Sequence, residues 1–126
     1  MDRQIYAGEW KIMEYLWEQS PRTLMEIVRA MAEETGWAKS TVTTMVTRME
    51  AKGLLRFEQQ GRTKQIWPAV SRAEASSAET EGLVNKVFRG RPGLLMASLI
   101  ESKSLSPEEI NELYDLLKKA EEESHA

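Results

Sequence analysis

No cysteine occurs among the 126 residues, and the one histidine, His125, stands one position from the C-terminus. The first absence excludes disulfides and thiolate metal sites. The second leaves no Cys/His cluster for zinc and no Ser-His-acid set, since a terminal histidine has nothing around it to orient it. Long apolar runs are missing too. The longest near-apolar stretch, Leu94 to Ile100, is far short of the roughly 20 residues a membrane helix needs. The start of the chain, with Asp2 and Arg3, carries no apolar signal segment, so a cytoplasmic location without membrane insertion is the expectation. No glycine-rich phosphate loop is present. Acid pairs such as Glu33-Glu34 and Glu108-Glu109 read as solvated helix faces. Nothing here supports an enzyme, a metal or a cofactor.

What the chain does contain is 41% hydrophobic and 29% charged residues. That balance fits a soluble, helix-rich protein of one domain or two small ones. The net charge of -3 is spread unevenly. Between Lys39 and Lys64 six bases (Lys39, Arg48, Lys52, Arg56, Arg62 and Lys64) face two acids, Glu50 and Glu58, for a net +4. From Ser71 onward seven bases face eleven acids, a net of -4. A basic stretch in an acidic chain suggests that one part meets phosphate and another does something else.

Helical spacing of Trp10, Met13, Leu16 and Trp17 predicts a first helix over Glu9 to Gln19, ended by Ser20-Pro21. Thr23-x-x-Glu26 is a capping box opening a second helix, with Leu24, Ile27, Val28 and Met31 inward and Gly36 as its end. The very short connection that follows forces a sharp turn into a third helix, a helix-turn-helix arrangement. The third helix lies within Trp37 to Gly53. Val42, Met45, Val46 and Met49 make its apolar stripe. Ser40, Thr44, Thr47 and Ala51 lie opposite, with Thr41, Thr43 and Arg48 on the flanks. Short hydroxyl side chains, an Arg and no acid before Glu50 suit a helix that enters the DNA major groove, where small side chains allow close approach to base edges. Two extended segments, Leu54 to Glu58 and Thr63 to Ala69, flank a turn at Gln60-Gly61-Arg62. They predict a hairpin wing, with Arg62 and Lys64 placed to reach phosphate or the minor groove. Pro68 restricts the second strand to an edge-like end. Trp10, Trp17, Trp37 and Trp67 read as core or junction residues rather than a base-stacking platform.

Ser71-x-x-Glu74 is another capping box and starts a long helix running towards Gly90. Its first part, 73–82, is polar and reads as an exposed arm. Leu83, Val84, Val87 and Phe88 then add an apolar stripe. After Gly90-Arg91-Pro92-Gly93, a fifth helix carries Leu94, Leu95, Leu99 and Ile100. Ser106-Pro107-Glu108-Glu109 starts a last helix with Ile110, Leu113, Leu116 and Leu117. This half is too small to enclose its own leucines. A second copy would cover them, through Leu83, Val84, Val87, Phe88, Leu95, Leu99, Ile110, Leu113 and Leu117. The expected fold is mainly α with a small β-hairpin: a winged helix-turn-helix over 1–70 that binds DNA, then a helical dimerisation region over 71–126. The expected DNA contacts are Lys39, Ser40, Thr41, Thr43, Thr44, Thr47, Arg48, Arg62 and Lys64.

Several short motifs recur together in order: Glu9-Trp10-x-x-Met13 with Trp17, Pro21-x-Thr23, Trp37-x-x-x-Thr41-Val42-x-Thr44, Thr47-Arg48 into Lys52-Gly53, and Gly61-Arg62. Asn85-Lys86-Val87-Phe88-x-Gly90 and Leu105-Ser106-x-x-Glu109-Ile110-x-Glu112-Leu113 complete the series. By these motifs the chain resembles the penicillinase-repressor family of bacterial transcription regulators, from about Tyr6 to Lys119. The family also takes in methicillin-resistance and copper-transport repressors. The resemblance implies a homodimeric repressor on a palindromic double-stranded operator of TACA/TGTA type. In the best-known members a regulatory protease releases the repressor by cutting an Asn-Phe bond in the fifth helix. The aligned pair here is Ser98-Leu99, which departs from that pattern. The copper-sensing mode needs cysteines, which this chain lacks. Ala38-Lys39 replaces a Ser-Pro that often opens the family's recognition helix, at a cost of about 1 kcal/mol in capping. Two other readings stay open: a winged-helix regulator controlled by a small ligand near Trp67 or Trp10, and a winged-helix protein-interaction module.

Overall fold

The computed structural model describes residues 4–125, so Asp2 and Arg3 lie outside the described residues. Along the chain come α1 (Ala7–Glu18), β1 (Arg22–Thr23), α2 (Leu24–Thr35), α3 (Lys39–Ala51), β2 (Leu55–Gln60), β3 (Thr63–Pro68), α4 (Arg72–Val87), α5 (Pro92–Glu101) and α6 (Pro107–Ser124). The molecule is thus mainly helical with one small antiparallel sheet, as the sequence predicts. No helix among the described residues is long and apolar enough to cross a membrane. Two compact units divide inside α4, at Met1–Glu79 and Thr80–Ala126.

Local chemistry sets the helix ends. At α2 the Thr23 hydroxyl accepts the Glu26 N–H at 3.2 Å, and the Glu26 carboxylate accepts the Thr23 N–H at 2.9 Å. Ser71 with Glu74 repeats this at the start of α4, and Ser106 with Glu109 at the start of α6. Each pair satisfies two amides that the helix leaves without a partner. Gly36 closes α2 at φ 78°, a left-handed position that a side chain disfavours, and its N–H reaches Met31 O and Ala32 O. The Thr35 hydroxyl then donates to Met31 O at 2.7 Å and accepts the Trp37 N–H at 3.2 Å. These bonds hold the tight passage into α3.

The core of the first unit draws on its three helices α1 to α3, on the hairpin and on the first turn of α4. Ile12, Met13 and Leu16 come from α1, Ile27, Val28 and Met31 from α2, and Val42, Val46 and Met49 from α3. Leu54, Leu55 and Ile66 bring the hairpin into the same cluster. Most of these lie on the stripes that the helical spacing predicts, but Ile12 joins the core where Trp10 and Trp17 are expected, and Trp10, Trp17, Leu24, Trp37 and Met45 are half-buried at the margin. The sheet has one strand more than the hairpin predicted. β1 adds to β3, pairing Arg22 with Ile66 and Thr23 with Gln65, so the order is β1-β3-β2. β3 is therefore the central strand, not an edge. Pro68 is tolerated because β1 reaches only Gln65 and Ile66, leaving the proline at the unpaired end of that side.

The first turn of α4 also departs from the expected exposed arm. Ala75 is buried in the core of the first unit. Arg72 makes a two-pronged bond to the Glu14 carboxylate and lies 5.0 Å from the Trp17 ring centroid, while the Trp17 indole donates to Val70 O at 2.9 Å. An alanine in a polar run gives no periodic signal, so the sequence does not mark this contact.

In the second unit most of the apolar side chains face outward. Val84 is buried, but Leu83, Val87, Leu94, Ile100, Ile110, Leu116 and Leu117 are exposed. α5 and α6 contribute no buried residue at all.

Acid should weaken these helix starts. The Thr23 N–H holds the Glu26 carboxyl below its ordinary value of 4.5, helped by Arg22. The Ser106 N–H does the same for Glu109, and Arg72 for Glu14. A carboxyl whose folded pKa is depressed contributes stability that is full above the unfolded value. That stability is lost as pH falls through the folded value. We expect the melting temperature to hold above pH 4.5 and to fall below it. Glu26→Gln should flatten part of that fall, which thermal melts across an acid series would read.

Candidate nucleic-acid interface

α3 presents its apolar stripe inward and its short polar side chains outward. Val42, Val46 and Met49 are buried. Lys39, Ser40, Thr41, Thr44, Thr47, Arg48 and Ala51 are exposed, and Thr43 is half-exposed. The helix starts at Ala38, whose side chain supplies no cap bond, so the first-turn amides of α3 are free of side-chain partners. Its first turn holds no acid, and its exposed N-terminal end therefore keeps the positive pole of the helix dipole.

The five hydroxyls on this helix are not equivalent. Thr43 Oγ1 donates to Lys39 O at 2.8 Å, and Thr47 Oγ1 donates to Thr43 O at 2.9 Å. These bonds fix both rotamers, so each side chain holds its methyl in one orientation and keeps only acceptor capacity on oxygen. Among the described residues no hydrogen bond engages the side-chain hydroxyls of Ser40, Thr41 or Thr44, which remain able to donate or accept. The Lys39, Thr43, Thr47 spacing of four carries this signal in the sequence, but the outward face alone does not reveal it.

The basic residues of the 39–64 window separate into two groups. Arg56 pairs with Glu58 at 3.4 Å and lies 5.0 Å from the Trp67 ring centroid. Lys52 turns inward to Glu9 at 2.6 Å. Among the described residues Lys39, Arg48, Arg62 and Lys64 make no ion pair. All four are residues that the sequence singles out for DNA. Lys64 rests 4.9 Å from the Phe57 ring centroid, which steadies its stem at the hairpin. Arg62 is exposed in the turn between β2 and β3. The candidate site is thus carried on two elements, α3 and the hairpin. Trp67 shows a second feature that spacing cannot reveal: its indole N–H is enclosed and has no acceptor among the described residues.

Residues 6–119 match the penicillinase repressor family. The penicillinase repressor of Bacillus licheniformis is 27% identical over 114 residues, which span 90% of this chain and 89% of that protein. The methicillin resistance regulatory protein MecI of Mammaliicoccus sciuri is 25% identical over 122 residues, 94% of this chain and 99% of the relative. Among solved structures, the DNA-binding domain of the repressor BlaI superposes with a TM-score of 0.53 at 25% identity, covering 57% of this chain and 88% of that one. Monomeric Bacillus licheniformis BlaI, solved in complex with the blaP half-operator, gives a TM-score of 0.52 at 25% identity, covering 56% and 87%. With a profile match over nearly its whole length and a winged helix-turn-helix to carry it, this chain belongs to the penicillinase repressor family of transcriptional repressors.

Proposed function

We propose that this chain represses transcription by binding a palindromic operator as a homodimer. α3 enters the major groove of each half-site, and the hairpin lies along the flanking backbone. The observation that carries the reading is the outward face of α3: short side chains, three unengaged hydroxyls and two unpaired cations, with no acid in its first turn. A backbone can approach base edges only behind side chains of this size. Ser40, Thr41 and Thr44 contact base edges or nearby phosphates. Thr43 and Thr47 offer methyl groups, which suit thymine. Arg48 and Lys39 take phosphate or guanine, and Arg62 and Lys64 hold the backbone beside the half-site. A helix and a wing on one protomer give limited affinity, so the second protomer supplies the rest through avidity. Repression is steric, by occupation of a promoter.

Release acts on the dimer, by proteolysis or by another signal. Ser98-Leu99 is the candidate bond. It lies within α5, so a protease reaches it only after local unwinding of that helix.

Fluorescence anisotropy on a TACA/TGTA-type palindrome and a scrambled duplex, across a salt series, tests the reading. Preference for the palindrome with a steep salt dependence supports it, whereas equal weak binding to both duplexes rejects it. Two variants refine it. Arg48→Ala should weaken binding to both duplexes and lower the salt slope by about one per protomer. Thr44→Ala should leave the slope in place and narrow the palindrome preference by up to about ten-fold, since a single-contact hydroxyl lies at the low end of the ~1–3 kcal/mol seen for a good base contact.

A further inference from the structure

We propose that Lys52 is a positioning residue for the recognition helix and not one of its DNA contacts. Lys52 sits at the C-cap of α3, in the basic window, where a lysine would ordinarily be counted as a phosphate ligand. Its ammonium points the other way. Nζ donates to the Glu9 carboxylate at 2.6 Å and to Gln4 O at 2.8 Å, and it lies 4.3 Å from the Tyr6 ring centroid. An ammonium has three N–H donors and no acceptor. Two acceptors and one ring face use all three, leaving none for a phosphate.

Glu9 is the buried charged residue of the described chain, 5% exposed, and Lys52 is the base that neutralises it. The same carboxylate oxygen accepts the Tyr6 N–H at 3.0 Å at the start of α1. One ion pair therefore joins the end of α3 to the beginning of α1 and to the strand of chain before it. The two helices approach closely nearby: a Cβ placed on Gly8 would lie 3.3 Å from both Met45 Cε and Trp37 Cη2. Beside the pair is a cleft of about 510 Å³, on whose wall Arg48 stands with Met45 and Ala51. Arg48 is thus one turn from the lock and exposed, while Lys52 is inside it. Rotation of α3 about its axis would move Thr44, Thr47 and Arg48 together relative to the groove, and the Lys52–Glu9 bridge opposes that rotation.

This inference rests on the DNA reading above, and the two can fail separately. The test uses the full chain with Lys52→Met, which keeps the apolar stem and removes the charge, beside Arg48→Ala. Lys52→Met should lose at least ten-fold in palindrome affinity and most of its preference over the scrambled duplex, with the wild-type salt slope retained. Lys52→Arg, which can still pair with Glu9, should recover the preference. The single change leaves the buried Glu9 carboxylate without its partner. The double variant Glu9→Gln/Lys52→Met removes both charges and keeps the fold measurable, and it should show the same loss with the same slope. A slope lowered by about one per protomer, with equal weakening on both duplexes, would mean that Lys52 binds phosphate and would overturn the proposal. Unchanged affinity and preference in both variants would overturn it as well. If the wild type itself shows no palindrome preference and no salt dependence, the DNA reading is what fails.

Discussion

Leu117→Glu is expected to lower affinity for the two-fold operator by about two to four orders of magnitude, the range that linking two binding modules supplies. Binding to a single half-site should be nearly unchanged. α6 carries Ile110, Leu113 and Leu117 on one stripe with Tyr114 beside them, and Leu117 is 63% exposed. α4 adds Leu83 and Val87, and α5 adds Ile100, all exposed. A run of apolar side chains this extensive, on a unit with almost no buried residue of its own, fits the isologous helical interface proposed above. A carboxylate inside that interface would have to be buried without a partner, and the dimer gives way first. Sedimentation equilibrium would follow the dimer, and anisotropy on full and half operators would follow the DNA. The monomeric BlaI complex with a half-operator shows that a relative's single protomer can engage half a site. If Leu117→Glu stays dimeric and binds the full operator as tightly as before, dimerisation through α6 is rejected.

Ile66→Ala should cost about 2–5 kcal/mol of stability, the range for a large aliphatic residue removed from a packed core. Ile66 is 1% exposed and stands in the central strand, in register with Arg22 of β1 on one side and Phe57 of β2 on the other. It is where the sheet meets the helical core. Losing three carbons there leaves a cavity that the helices close only partly, and it loosens the hairpin that carries Arg62 and Lys64. Urea unfolding should show the lower midpoint with an unchanged slope. Under conditions where the variant is folded, operator affinity should fall more than the folded fraction explains. A midpoint within about 0.5 kcal/mol of wild type, the size expected of an ordinary surface change, would mean that the strand is not anchored through this residue.

The elements most legible in the sequence are those whose causes are local. Thr23 with Glu26 and Ser106 with Glu109 close reciprocal bonds three residues apart, so the pattern itself contains the structure. The stripe of Val42, Val46 and Met49 has a period that only a helix can bury on one side, and the burial follows it. Once that face is inward, Ser40, Thr44 and Thr47 must lie outward, so their exposure follows from the sequence pattern itself.

Other features depended on groups far apart in the chain. Arg22 and Thr23 look like a loop between two helices, and they become a strand only because β3 offers its free edge some forty residues later. Pro68 marks a strand end correctly, yet which strand is central follows from that third partner. Ala75 is buried by what approaches it, since a single methyl announces nothing. Lys52 shows the same limit for charge: composition counts it as one more base beside the DNA-facing helix. Only the fold brings Glu9, 43 positions away, within 2.6 Å and turns that charge inward. Periodicity and capping act over a few residues and are written in the chain. Pairing between distant groups is decided by packing, where the unfavourable burial of an unpaired charge or amide selects the partner that happens to be near.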